Sequence, residues 1–389
     1  MSGIRDRVAI IGAGCTKFGE MWEKDAEDLL VDAAFDAIED AGLAPKDIQA
    51  AWVGAAFQQL TGMSGTIVTD TLKIWGIPVT RVENRCATGM DAFRNACYAV
   101  AAGIYDVVLA CGVEKLLDQG GHGLRREEPH PIFAGVSAAG LFSMAANRSM
   151  MAYNWSKEDL ARVAVKNHKN GIQHPKAHFR RAVTIEEVIS APMIAYPLGR
   201  LDCCAVSDGS AAVVLTRPEI ARQTRHKDDY VLVKAATLSV YSGQPWFRND
   251  FDFTYFPATR RAAQTAYEEA GIRDPVQEID LVECHDCFTI TELLNMQDLG
   301  FCQRGEAARL VAEGWSDAEG EVPFNPSGGL KCFGHPIGAT GCRVVYELTR
   351  QLQGRADGYQ VKDAKLALGH TLGGPGALAS VVILGRQDV

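Results

Sequence analysis

Two phrases of the sequence say nearly the same thing 229 positions apart. Val31-Asp-Ala-Ala-Phe-Asp-Ala-Ile-Glu-Asp-Ala-Gly42 returns as Arg260-Arg-Ala-Ala-Gln-Thr-Ala-Tyr-Glu-Glu-Ala-Gly271. Each copy is followed by a short loop, an isoleucine (Ile48 or Ile279) and a strand-like run, Ala51-Trp-Val-Gly54 or Leu281-Val-Glu-Cys284. In the first copy Leu30, Ala33, Ala34, Ala37, Ile38 and Ala41 share one helical face, and Gly42 is a typical stop. A second echo follows. Cys86 leads a helix that yields to the strand Val107–Gly112, and Gly334-His335-Pro336 leads a helix through Val344, Tyr346, Leu348 and Leu352 that yields to the strand Ala364–Gly369. A repeat this long is too large for a solenoid unit. It predicts an α/β protein of two duplicated β-α-β halves, with loops from the strand ends of both halves meeting in one cleft.

The length agrees, since 389 residues exceed what one hydrophobic core usually serves. A net charge of −9 argues against nucleic acid as the main partner. Eleven cysteines, scattered without framework spacing behind an N-terminus lacking a long apolar stretch, read as reduced thiols in a cytoplasmic protein. No apolar run is long enough to predict a membrane span.

Arg7-Val-Ala-Ile-Ile-Gly-Ala-Gly14 invites a dinucleotide-binding reading, but Lys17 stands where the third glycine belongs and the next helix starts only near Asp25. A core strand ending in a turn is expected instead. Between the halves, residues 117–200 form an insertion in which Lys166, His168, Lys169, Lys176, His178, Arg180 and Arg181 crowd together. Such a run is either a solvated face or a dock for a phosphorylated ligand, with Arg180 and Arg181 the residues favoured for the latter. His174 and His178 lack further ligands at metal spacing, and Pro175 interrupts their helix, so no metal site is expected.

Three loops carry most of the chemistry. Asn84-Arg-Cys86-Ala-Thr-Gly-Met90 sets a cysteine after an extended segment and before a helix whose buried face is Met90, Phe93, Cys97 and Val100. Unpaired N–H groups and the helix dipole favour a thiolate there. Glu283-Cys-His285-Asp-Cys287-Phe288 follows the strand of the second repeat. Gly328-Gly-Leu-Lys-Cys-Phe-Gly-His335-Pro-Ile-Gly-Ala-Thr-Gly341 is a glycine-rich turn with a histidine before a helix, and Gly369-His370-Thr-Leu-Gly373-Gly374-Pro-Gly376 reads as a further turn. Cys284-x-x-Cys287 lacks the second pair of a zinc ribbon, and no loop has the Lys-Ser/Thr of a phosphate-binding P-loop.

Together with Asp202-Cys-Cys-Ala-Val-Ser-Asp-Gly-Ser-Ala-Ala-Val-Val-Leu215, these motifs resemble a thiolase nearly end to end. The His-Asp-Cys-Phe loop is similar to the sterol-carrier-protein-type branch, without its sterol-carrier domain. The resemblance implies the thiolase fold, with duplicated βαβαβαββ halves in five α-β-α-β-α layers. The N-terminal half is expected over 1–116 with 201–245, the substrate- and CoA-facing loop domain over 117–200, and the C-terminal half over 246–389. The implied reaction is CoA-dependent cleavage of 3-oxoacyl-CoA to acyl-CoA plus acetyl-CoA or propionyl-CoA, or the reverse Claisen condensation, in fatty-acid or sterol side-chain degradation.

In that reaction Cys86 is the nucleophile, His335 its base, Cys287 the acid for the leaving enolate, and His285 with His335 the holder of the thioester oxygen. The Cys86 N–H with an N–H near Gly373 and Gly374 forms a second oxyanion hole, and His370 stands near the substrate. The last loop has no cysteine, so the second catalytic thiol is Cys287. The resemblance also implies no cofactor, with coenzyme A as substrate, a homodimer or tetramer, and in some relatives a small OB-fold zinc-protein partner. Two other enzyme readings stay open: a retro-aldol lyase, which would not need both Cys86 and Cys287, and a condensing acyltransferase using Cys86, His335 and His370. A non-enzymatic scaffold would be expected to lose reactive residues, and none is visibly lost.

Overall fold

The computed structural model describes residues 3–57, 64–119, 136–243 and 248–389. The Gly- and Pro-rich opening of the insertion, 120–131, lies outside them. Within the described residues the strands that build the main sheet are β1 (Ala9–Cys15), β2 (Ala50–Gly54), β3 (Val79–Val82), β4 (Val107–Glu114), β5 (Gly209–Thr216), β6 (Val231–Val240), β7 (Leu281–Glu283), β8 (Leu366–Gly373) and β9 (Leu378–Gly385). The longer helices are α1 (Ala26–Ala41), α2 (Thr66–Leu72), α3 (Thr88–Ala101), α4 (Ala138–Tyr153), α5 (Lys157–Gly171), α6 (Ile185–Ser190), α7 (Pro257–Ala270), α8 (Thr289–Asp298), α9 (Ala307–Ala312), α10 (Gly329–Phe333) and α11 (Ile337–Leu352).

The nine strands form one sheet in the order β3-β2-β4-β5-β1-β6-β9-β8-β7. β2 runs parallel to β3 and β4, and β8 parallel to β7; every other neighbour is antiparallel. The duplication is visible in this order. α1 leads to β2 in one half as α7 leads to β7 in the other. Beside β7 lies the segment Pro323–Asn325, where Val282 N–H donates to Pro323 O (2.9 Å) and Asn325 N–H to Val282 O (2.7 Å). This abbreviated strand takes the place that β3 takes beside β2. In the middle of the sheet β1 and β6 share two register pairs, Ala9 with Leu232 and Ile10 with Val231.

Each helix forms for a local reason. Asp25 and Asp28 make a reciprocal cap on α1, whose alanines and leucines are buried, and Gly42 ends it at φ 72°. Full burial of a Leu or Ile such as Leu29, Leu30 or Ile38 contributes about 1.5–3 kcal/mol. Gly12 and Gly14 belong to β1: a Cβ on either would come within 2.2 Å of a carbonyl of α1, so they let that helix lie close on the strand, as expected of a core strand.

α1 covers the outer face of β1 and β5, and α7 that of β6 and β9. α3 and α11 cross against each other and touch strands of both halves, giving the middle layer of the five. Their crossing is close enough that a Cβ on Gly341 would meet Met90 N at 1.9 Å, and one on Gly89 would meet Gly338 O at 2.5 Å. Two helices that begin at catalytic-looking loops are thus held backbone to backbone.

Candidate active site

Cys86 stands one residue before Ala87, the N-cap of α3, and is half-buried. The turn that presents it is held from both sides. Thr88 Oγ1 accepts from Asn84 N–H (2.9 Å) and donates to Arg85 O (2.5 Å), while Asn84 Nδ2 donates to Asp91 (2.6 Å). Arg85 takes the left-handed conformation, φ 48°.

His335 follows Gly334, whose φ of 115° few other residues would adopt, and precedes Pro336, the N-cap of α11. Its Nδ1 lies 2.7 Å from Thr340 Oγ1. That hydroxyl has a single proton, which it gives to Pro336 O at 2.9 Å, so it accepts from Nδ1–H. Nε2 is therefore the bare nitrogen, and it has no hydrogen-bond partner. Burial, with Arg343 nearby, pushes His335 down to about 3, so the ring is neutral.

The loop after β7 carries His285 and Cys287. Asn295 Nδ2 holds His285 O (2.7 Å), Asn325 Oδ1 accepts Cys284 N–H (2.8 Å), and Cys287 O accepts Cys204 N–H (2.9 Å). Asp286 between them accepts from Leu330 N–H (2.6 Å) and Lys331 N–H (3.2 Å), tying this loop to α10 and so to the His335 turn. Burial and the neighbouring carboxylate of Glu292 push Asp286 upward. Both ring nitrogens of His285 are buried without a partner; burial first, then His335 and His370, pushes its titration far down.

The three loops converge on one point. Cys86, His285 and His335 each offer a donor atom lying within 4.8 Å of the other two. The histidine rings meet edge to face, centroids 5.0 Å apart at 85°. Cys287 is buried beside them, its thiol pushed up by burial and by the neighbouring Cys204 and Cys86. A half-buried thiol, a bare imidazole nitrogen, an unpartnered imidazole ring and a protonated thiol thus share one site.

Other sequence-predicted residues lie differently. His370 is in strand β8 and not in a turn; only Gly374–Ala377 link β8 to β9. Its Nε2 lies 3.1 Å from Thr259 Oγ1 and its Nδ1 takes His285 N–H at 3.4 Å, so both nitrogens are engaged and the ring holds the His285 backbone. A Cβ on Gly373 would lie 3.1 Å from that of Arg85, which sets the last loop against the residue before Cys86.

The basic run dissolves. Lys166 and His168 are buried, and Lys176 pairs with Tyr346 (2.7 Å) and Asp357 (3.4 Å). Arg180 and Arg181 stay exposed, Arg180 Nε on Ile172 O (3.4 Å) and Arg181 on Glu187 (3.5 Å). His174 is paired with Glu347 (2.9 Å) and His178 with Ser207 (2.8 Å). A cleft of about 680 Å³ lined by Phe18, Glu20, Lys24, Asp36 and His178 shares no residue with the catalytic cluster.

Sequence reasoning missed the supports. Thr340 lay inside a quoted motif and its hydroxyl five residues after His335 was a usable signal. Asn295, Asn167 and Glu114 gave none. Glu114, buried and pushed up to about 7, accepts N–H groups of Ala56, Phe57 and Gly338, fixing the first turn of α11 behind His335. Asn167 of α5 donates to Asp286 and to Glu292 (2.7 Å each), and Lys166 beside it bonds Glu292 (2.9 Å) and Phe324 O (2.7 Å).

Comparison with known proteins accounts for the fold. The family model described as thiolase, N-terminal domain, matches residues 8–219, and that of the thiolase C-terminal domain-like family matches 239–386. The chain is 40% identical to an acetyl-CoA acetyltransferase of Methanothermobacter thermautotrophicus, covering 97% of this chain and 99% of that one. It is 32% identical to benzoylsuccinyl-CoA thiolase subunit BbsB of Thauera aromatica (95% of each chain) and 32% to human sterol carrier protein 2 (96% of this chain, 71% of that one). Among solved structures, an Ltp2-ChsH2(DUF35) aldolase superposes with a TM-score of 0.86 at 28% identity over 98% of both chains. The Acat5 thiolase from Ascaris suum in complex with coenzyme A has the same fold: TM-score 0.74 at 17% identity, covering 98% of this chain and 100% of that one. The motifs, the duplicated fold and these likenesses agree, and the chain belongs to the thiolase family.

Proposed function

We propose that this protein is an acyl-CoA C-acyltransferase that cleaves 3-oxoacyl-CoA thioesters with coenzyme A, or runs the reverse condensation, through a Cys86 acyl-enzyme. The observation that carries the reading is the bare Nε2 of His335 in one cluster with Cys86 and His285. Cys86 sulfur adds to the 3-keto carbon as His335 Nε2 takes its proton. That transfer turns Nε2 from acceptor into donor, so His335 carries an N–H for the thioester oxygen when C2–C3 cleavage then puts negative charge on it. The His285 ring supplies the second donor; loss of one such donor typically costs about 10² to 10³ in rate.

Breaking the C2–C3 bond leaves the shortened acyl group as a thioester on Cys86 and releases the enolate of acetyl-CoA or propionyl-CoA, which takes the proton of Cys287. Coenzyme A thiol then gives its proton to the Cys287 thiolate and its sulfur to the acyl carbon, and Cys86 leaves by taking back the proton held on His335 Nε2. Atoms and protons balance, and the protonated resting state of Cys287 suits its role. The Cys86 N–H and the Gly373–Gly374 turn fit a hole for the acyl-enzyme oxygen. Arg180 and Arg181, exposed on the insertion, are the proposed contacts for the coenzyme A phosphate, and the enzyme works as a homodimer or tetramer.

The test is thiolysis of a panel of 3-oxoacyl-CoA substrates. Cys86→Ala should abolish turnover and acyl-enzyme formation. Cys287→Ala should cut turnover by at least about 10², the range of a general acid, while Cys86 still alkylates. Full activity in Cys86→Ala would exclude covalent catalysis. The aldolase superposing at 0.86 favours one second reading, retro-aldol cleavage with a small partner protein. It predicts aldehyde or ketone release without coenzyme A, which the same panel reads.

A further inference from the structure

The catalytic cluster is also a set of soft ligands. Among the described residues, Cys86, His285 and His335 are the one group of cysteine, histidine and carboxylate side chains whose donor atoms converge closely enough to hold a metal ion. Three nitrogens there, both of His285 and Nε2 of His335, are buried and unpartnered, which is costly for polar atoms unless something calls on them.

The supports match those of a metal-binding histidine. A ligating imidazole presents one bare nitrogen while its other N–H is held by an oxygen, and Thr340 does this for His335. Asn295 fixes the His285 carbonyl and His370 its N–H. Tetrahedral zinc takes sulfur at about 2.3 Å and nitrogen at about 2.0–2.1 Å, which sets the donors about 3.3–3.6 Å apart. The atoms already lie within 4.8 Å of one another, so ligation draws them in by at most about 1.5 Å. Three protein ligands leave the fourth position open.

We propose that the resting active site binds Zn²⁺ through Cys86, His285 and His335. Binding replaces the Cys86 S–H proton, which passes to solvent, by an S–Zn bond; no electrons move. One ion thereby ties up the thiol sulfur and the His335 lone pair. On the catalytic reading above, which this consequence alone rests on, zinc is a reversible inhibitor that competes with acyl-CoA and shields the thiol from electrophiles.

The experiment uses the whole protein, freed of metal with a chelator and titrated with Co²⁺ as a visible probe. One equivalent should give the d–d bands of tetrahedral cobalt and a thiolate-to-cobalt charge-transfer band, and one equivalent of Zn²⁺ should erase both. Iodoacetamide labelling of Cys86 should slow at least about tenfold with Zn²⁺ and recover with chelator. Cys86→Ala should lose the charge-transfer band and His335→Ala should weaken binding, with circular dichroism checking that each variant is folded. Labelling in Cys302→Ala, a thiol outside the cluster, should respond to zinc as in the parent. No cobalt band in the parent protein, or a charge-transfer band that survives Cys86→Ala, would overturn the proposal. Thiolysis by the chelated enzyme is scored separately: activity without a cobalt band sinks only the metal site, and a cobalt band without activity sinks only the catalytic reading.

Discussion

At the scale of single residues, the resting protonation of His335 decides what the site can do. Thr340 locks its tautomer, and burial pushes the ring to about 3. A histidine pushed down to about 3 is neutral at every pH above its own lowered value, so the bare Nε2 is available throughout the physiological range. Iodoacetamide inactivation of Cys86 should therefore show no inflection near 6.5 between pH 5 and 8. Thr340→Val should lower the inactivation rate and kcat on the order of 10–100-fold with KM little changed, because Nδ1–H loses its acceptor and Nε2–H becomes the favoured form. A titration step at 6.5, or an unaltered rate in the variant, would refute this account.

That Cys86, His285, Cys287 and His335 come together was legible in the sequence because each stands in a motif just ahead of a helix. Their partners were not. Asn295 is ten residues from the carbonyl it holds, and Asn167 reaches Asp286 across 119 positions, distances no local pattern encodes. His370 was misplaced for a related reason: glycines at 369, 373 and 374 read as a turn, yet Gly369 lies in a strand where a Cβ would strike Val344 at 2.7 Å.

At the scale of elements, the α3–α11 crossing sets the separation of Cys86 from His335, since each helix starts beside one of them. Gly89→Ala places a methyl 2.5 Å from Gly338 O and 3.0 Å from Cys342 N. Overpacking of this kind costs about 1–3 kcal/mol. Gly89→Ala should lower the denaturant midpoint accordingly and reduce kcat/KM more than its stability loss explains; a variant as stable and active as the parent would show that the helices do not set this spacing. The helices themselves could be read from periodicity, and the duplication foretold which would correspond. What the duplication did not foretell is the shrinkage of the second copy's edge strand to Pro323–Asn325, where the chain leaves early to form the Asn325 contacts.

At the scale of the whole molecule, the halves share one nine-stranded sheet and the α3–α11 layer packed against it. Neither half can lose its structure while the other keeps a complete core. Equilibrium unfolding followed by circular dichroism and by tryptophan emission should give coincident transitions; separated midpoints would mean the halves are independent. The seven basic residues of the insertion illustrate the limit of reading charge from sequence, since Lys166 is consumed inside the core by Glu292.

That same interior wiring bears on how such proteins diversify. α5 belongs to the insertion, yet Asn167 and Lys166 grip Asp286 and Glu292, which hold the loop bearing His285 and Cys287. A lineage that shifts α5 also shifts the loop bearing His285 and Cys287. Novelty is cheapest on parts of the insertion that make no such grip. Exchanging the insertion between relatives should succeed only when Asn167 and Asp286 travel as a pair.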